Sequence, residues 1–133
     1  MPISTLLLSI LIMMAVVLAF RVMLIRRKLK IAVGTEHPQL LRASRAHHNF
    51  LENVPLAFLG IGLLEFRGFS QVVLGTLAAT FVVGRLSHAF GISRLNEDFR
   101  FRVAGMVLTW TVMGIESLLL LYVLLYPIIQ CQC

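Results

Sequence analysis

Charge is what this chain has least of. Asp, Glu, Lys and Arg make up 14% of its 133 residues, against 59% hydrophobic residues. That balance excludes an ordinary soluble domain, in which about a quarter of residues are charged. Acidic residues are scarcer still, six against twelve Lys and Arg, leaving a net charge of +6. The excess does not imply nucleic acid as a partner. The basic residues sit between apolar stretches and not on a soluble basic face, so a membrane-topology signal accounts for them. Cysteine is nearly absent: Cys131 and Cys133 stand as C-x-C in the last three residues. No second pair and no nearby histidine completes a zinc site, so they read as a tail. His37, His47, His48 and His88 have no metal-ligand spacing, and no metal is expected. Also missing are Gly-x-Ser-x-Gly, a phosphate loop and a dinucleotide fingerprint. Gly60 and Gly62 lie inside an apolar run and read as packing positions.

What the chain does have is long apolar stretches, enough for about four spans of roughly 20 residues and no soluble domain beside them. The expected organisation is a single membrane domain over 1–133, all-α, with spans at about 3–25, 39–65, 71–90 and 101–126. No basic residue precedes the first span, while Arg26, Arg27, Lys28 and Lys30 follow it. That polarity fits a retained span with its N-terminus outside, not a cleavable signal peptide. Pro38 opens the second helix after a loop with Gly34 and Thr35. Pro55, inside that helix, is expected to kink it near the carbonyl of Leu51 and open space at Glu52. Gly75, Ala78, Ala79 and Gly84 suit the third span to close helix contact. Gly91–Asp98 reads as the second inner loop, and Pro127 as the end of the fourth span. All the Lys and Arg except Arg67 fall towards the two larger connections. Both termini are therefore expected outside and both larger connections in the cytoplasm.

The candidate site starts on the second span. Arg42, Arg45, Asn49 and Glu52 recur at i, i+3, i+7 and i+10, one stripe of a helix at about 100° per residue. Two guanidinium forks, an amide and a carboxylate on one face suit both ends of a zwitterion. The competing reading is an ion-pair network that only locks helices. Charge at membrane depth is expensive, however, and faces a cavity or another charge. His48 sits about 60° off the stripe and rims it, whereas His47 points away. On the third span Arg85 and His88 are three apart, and Arg100 and Arg102 enter the fourth span from the same side. This surplus of arginine over carboxylate calls for an anion, and a ligand with two or more carboxylates satisfies it. Arg26, Arg27 and Arg94 read instead as side chains reaching lipid phosphates. Glu116, deep in the fourth span, reads as a proton relay or as a carboxyl hydrogen-bonded between helices, the structural reading being preferred.

The second-span stretch Arg42-x-x-Arg45-Ala-His-x-Asn49-x-x-Glu52-x-x-Pro55 resembles the signature of the MAPEG family, membrane-associated proteins in eicosanoid and glutathione metabolism. The likeness continues in Gly84-Arg85-Leu-Ser-His88 and in Arg100-Phe-Arg102-x-x-Gly105-Met106, and is nearest to the short bacterial branch of that family. The resemblance implies a homotrimer of four-helix subunits in a bacterial inner membrane. It also implies glutathione as co-substrate, bound between subunits near the cytoplasmic face. Arg45, Asn49 and Glu52 match glutathione-holding positions, with Glu52 on the tripeptide's amino group. Arg42 matches a further basic position, His48 stands where some members have arginine, and Arg85 and His88 match the third-span pair. Arg102 matches the arginine that stabilises the thiolate, with Arg100 the alternative holder of that place. The chain departs from eukaryotic relatives where they carry tyrosine, having Ile92 and Met106 there.

The activity so implied is glutathione transfer to, or glutathione-dependent reduction of, a lipophilic electrophile arriving from the bilayer, with an arginine lowering the thiol pKa. The alternative of a different class is a non-catalytic lipid- or thiol-binding membrane protein of the same fold. A small-molecule exporter using Glu116 or Glu52 as a proton site fits less well, since it needs no arginine cluster.

Overall fold

The computed structural model describes residues 1–94 and 99–130, with side chains through 125. Four helices follow one another: α1 (Pro2–Leu29), α2 (Pro38–Phe66), α3 (Gln71–Ile92) and α4 (Phe99–Gln130). They enclose the four apolar stretches read from the sequence, and no strand occurs among the described residues. Leu95–Asp98, read above as part of the second inner loop, and the tail cysteines Cys131 and Cys133 lie outside those residues.

Three helical stretches are long and apolar enough to cross a membrane: Pro2–Leu29, Gln71–Ile92 and Phe99–Leu125. α2 matches them in length, 29 residues or about 44 Å at 1.5 Å per residue. Its first half is too polar for the same description, because that half carries the charged stripe. In the most apolar window of α1 only 22% of residues are buried, and Leu6, Met13, Val17 and Phe20 face outward. An apolar exterior of this kind requires lipid, not water, as the surrounding medium.

The core lies where helical periodicity directs it. Leu7, Leu11 and Leu18 of α1 meet Phe50, Ala57, Ile61 and Leu64 of α2 and Leu74, Leu77 and Phe81 of α3. α1 packs mainly against α2, and α3 shares its most extensive contact with α4. Glycine sets that second contact. A Cβ on Gly105 would lie 2.5 Å from the His88 nitrogen and 2.6 Å from the Gly84 carbonyl oxygen, and one on Gly91 would lie 2.7 Å from the Arg102 nitrogen. Backbone therefore meets backbone along the charged end of this pair, as small residues permit. Ser87 Oγ donates to the Phe101 carbonyl at 2.9 Å across the same seam.

Three helices run past the ends read for their spans. α1 continues to Leu29. α3 continues through Gly91 and Ile92, because Gly91 has no side chain to push α4 away and both residues stay buried between helices. α4 runs past Pro127 to Gln130. A proline removes one i→i−4 bond, which bends a helix without having to end it.

A polar lock closes the opposite end of the bundle. The Glu65 carboxylate accepts from the Ile3 nitrogen at 3.0 Å, the Ser4 nitrogen at 2.8 Å and the Ser4 hydroxyl. The first turn of any helix leaves N–H groups unpaired and carries partial positive charge. In α1 no side chain of its own first turn serves as cap, and Glu65 of α2 takes that role from a neighbouring helix.

Candidate functional site

At the end of the bundle that carries the α1–α2 and α3–α4 connections, a cleft of about 530 Å³ opens among α2, α3 and α4. From the α2 stripe it receives Arg42, Arg45, His48, Asn49 and Glu52, with His88 and Ile92 from α3 and Arg102 from α4. The local cause on α2 is the i, i+3, i+7, i+10 spacing, which keeps four polar side chains on one side while Ala43, Ala46 and Phe50 go into the core. Arg45, His48 and Glu52 are exposed to the cleft, while Arg42, Asn49 and Arg102 are half-buried. His88 is buried, with Nδ1 3.2 Å from the Arg102 carbonyl oxygen, so it ties α3 to α4 at the cleft floor.

Two of the residues picked from the sequence are placed elsewhere. Arg85 is 1% exposed and does not line the cleft. Its Nη1 donates to the Asn49 side-chain oxygen at 2.9 Å and approaches the Asn49 carbonyl at 3.4 Å. Its Nη2 donates to the Met106 sulfur at 3.4 Å. Arg85 thus holds the cleft wall from behind. Asn53 supports the same stretch by donating to the Asn49 carbonyl at 2.8 Å. Arg100 is exposed and lies off the cleft.

Two of the basic residues read as lipid-facing, Arg26 and Arg94, find protein partners. Arg26 donates to the carbonyls of Ala32 and Gly34, at 3.3 and 3.1 Å, and so clamps the first connection. Arg94 lies over the Phe90 ring, 4.0 Å from its centroid. His47, half-buried, is not among the lining residues.

Glu36 is a lining residue that sequence reasoning missed. It lies in the connection before Pro38, and its only signal was an acidic residue two positions ahead of a helix-opening proline. With it the cleft carries the guanidinium groups of Arg42, Arg45 and Arg102 against the carboxylates of Glu36 and Glu52. Such a surface carries both signs of charge that a zwitterion presents. Ile92 makes an apolar patch of the wall.

An all-helical bundle with lipid-suited flanks and a charged cleft at one end defines an integral membrane protein. Over residues 4–123 the chain matches the MAPEG family, and it belongs to that family. Among curated proteins it is similar to "Inner membrane protein YecN" of Escherichia coli strain K12, 29% identical over 93 residues, covering 69% of this chain and 70% of the relative. The protein of the same name from Escherichia coli O6:H1 strain CFT073 matches to the same extent.

Proposed function

We propose that this protein binds glutathione in the cleft among α2, α3 and α4 and uses it to conjugate or reduce lipophilic electrophiles that enter from the bilayer. The observation that carries the reading is the joint lining of one cleft by Arg42, Arg45, Glu52 and Arg102. Glutathione presents two carboxylates, one ammonium and one thiol. Glu52 pairs with the ammonium, while Arg42 and Arg45 take carboxylates as charge-assisted contacts. Arg102 comes from a different helix and faces the thiol, where an adjacent cation favours the thiolate. Attack then needs only proximity to an electrophile lodged beside the cleft. In this reading the protein is a homotrimer in the inner membrane. The cleft end faces the cytoplasm and both termini lie outside, because the Lys and Arg gather at the cleft end.

Ile92 and Met106 favour a second reading. One lines the cleft as an aliphatic wall and the other turns its sulfur to Arg85, so neither offers a hydroxyl to a thiolate. A non-catalytic lipid- or thiol-binding protein of the same fold needs none. Titration of the purified protein with reduced, oxidised and S-alkylated glutathione tests binding, and thiolate absorbance at the ultraviolet edge separates the two readings. Binding with a thiolate signal and turnover supports the enzyme. Binding without either supports the second reading in its thiol-binding form, and absence of binding overturns the enzyme and the thiol-binding protein alike.

A further inference from the structure

Far from the charged cleft, a second cavity of about 400 Å³ lies between α2 and α4. Leu56, Leu59 and Leu63 of α2 and Leu121 and Leu124 of α4 form its apolar walls, and all five are exposed. Only Glu116 and Ser117 among the lining residues carry polar side chains. Glu116 is 3% exposed, yet its Oε1 has no hydrogen-bond partner among the described residues. Gly60 of α2 packs directly against the carboxyl and leaves it room. A Cβ there would lie 3.1 Å from Glu116 Cδ and 3.3 Å from its Cβ.

The charge map around this carboxyl is one-sided. α2 has no Lys or Arg after Arg45, and α4 has none after Arg102. Arg102 lies fourteen residues before Glu116, about 21 Å along the helix. Arg67, just past the end of α2, is seven residues from Gly60, about 10 Å further along the axis. A carboxyl buried among leucines at membrane depth, with an oxygen unpaired, is costly unless something supplies the missing partner. A metal ion does not fit, since it would need several more oxygen ligands than these walls offer. A hydrophobic body with one positive charge matches both features, its bulk against the leucines and its charge at the single carboxyl.

We infer that the α2–α4 cavity is a binding site for a lipophilic monocation, taken from the bilayer and held by pairing of its charge with Glu116. The site is separate from the glutathione cleft and does not depend on it.

Equilibrium dialysis of the purified full chain in detergent with radiolabelled tetraphenylphosphonium tests this. Saturable binding is expected, weakened about tenfold or more by Glu116→Gln through loss of one charged contact. Triphenylphosphine oxide, the neutral analogue, should not compete. No saturable binding, equal binding by the Gln variant, or displacement by the neutral analogue would each overturn the inference. Should Glu116→Gln fail to fold, the wild-type protein still decides. A hydrophobic carbodiimide should label Glu116, read by peptide mass, and tetraphenylphosphonium should protect it in a concentration-dependent way; labelling without protection refutes the site. Glutathione titrated in parallel reads the other cleft, so the two readings fail independently.

Discussion

Arg85 of α3 reaches across to α2 and donates to the side-chain oxygen of Asn49 at 2.9 Å, so a buried guanidinium sets the orientation of a residue in the cleft wall. Among the described residues its partners are an amide oxygen, a backbone carbonyl and a thioether. Arg85 therefore belongs to the site as a positioning residue.

Replacing Asn49 by Ala leaves the Arg85 fork with only its longer contacts. We expect a loss of about 1–3 kcal/mol of stability, the usual cost of stranding a buried polar group. Arg85→Lys, which cannot reproduce the fork, should weaken glutathione binding while leaving the fold intact. Unfolding in graded denaturing detergent and ligand titration read the two effects. An unchanged unfolding midpoint in Asn49→Ala would show the pair to be incidental.

The Glu65 lock lies at the other end of the bundle and should act on stability alone. Glu65→Leu strands the Ile3 and Ser4 nitrogens and the Ser4 hydroxyl, for an expected loss of about 1–3 kcal/mol. Glutathione affinity should stay at the parent value, measured at a temperature where both proteins are folded.

Glycine contacts give a matched pair of variants. Gly105→Ala places a methyl 2.5 Å from the His88 nitrogen and 2.6 Å from the Gly84 oxygen. Both are backbone atoms that cannot swing aside, so α3 and α4 must separate at a cost of about 1–3 kcal/mol. The separation moves His88 relative to Arg102, and ligand affinity should fall with stability. Gly114→Ala meets nothing within 4 Å and should be neutral or stabilising by up to about 1 kcal/mol. Thermal unfolding of the two variants side by side checks the contrast.

Glu52→Gln should keep the fold and weaken glutathione binding by about 1–3 kcal/mol through loss of a charge-assisted contact. Affinity equal to the parent's would remove Glu52 from the ammonium-binding role.

Arg102 and Arg100 should differ because only the first lines the cleft. Arg102→Ala is expected to raise the pKa of the bound thiol towards its free value, each unit being worth about 1.4 kcal/mol. Turnover near neutral pH should drop, with little change in binding of S-alkylated glutathione, which has no thiolate to stabilise. Arg100→Ala should be milder on both counts. A pH titration of the thiolate signal in both variants is the check, and the reverse order would move the thiolate-stabilising role to Arg100.

The number of helices, their membrane setting and the polar stripe of α2 were all legible in the sequence. Apolar length, charge distribution and spacing along one helix are local properties, readable without neighbours. Arg42, Arg45, Asn49 and Glu52 share a face whatever α2 packs against, since about 100° of turn per residue puts them there. Only the tertiary structure decided which way a residue turned once its helix had neighbours. Arg85 and His88 are three apart on α3, yet one lies behind Asn49 and the other reaches the cleft. That division depends on how far α3 is rotated against α2 and α4. Close backbone contact at Gly84, Gly91 and Gly105 sets that rotation, and periodicity within α3 does not encode it. The same holds for Glu36 joining the cleft and for Glu65 capping α1. The latter pairs residues 61 and 62 positions apart, and its partner, the bare amino end of a helix, is a backbone feature that no side-chain pattern announces.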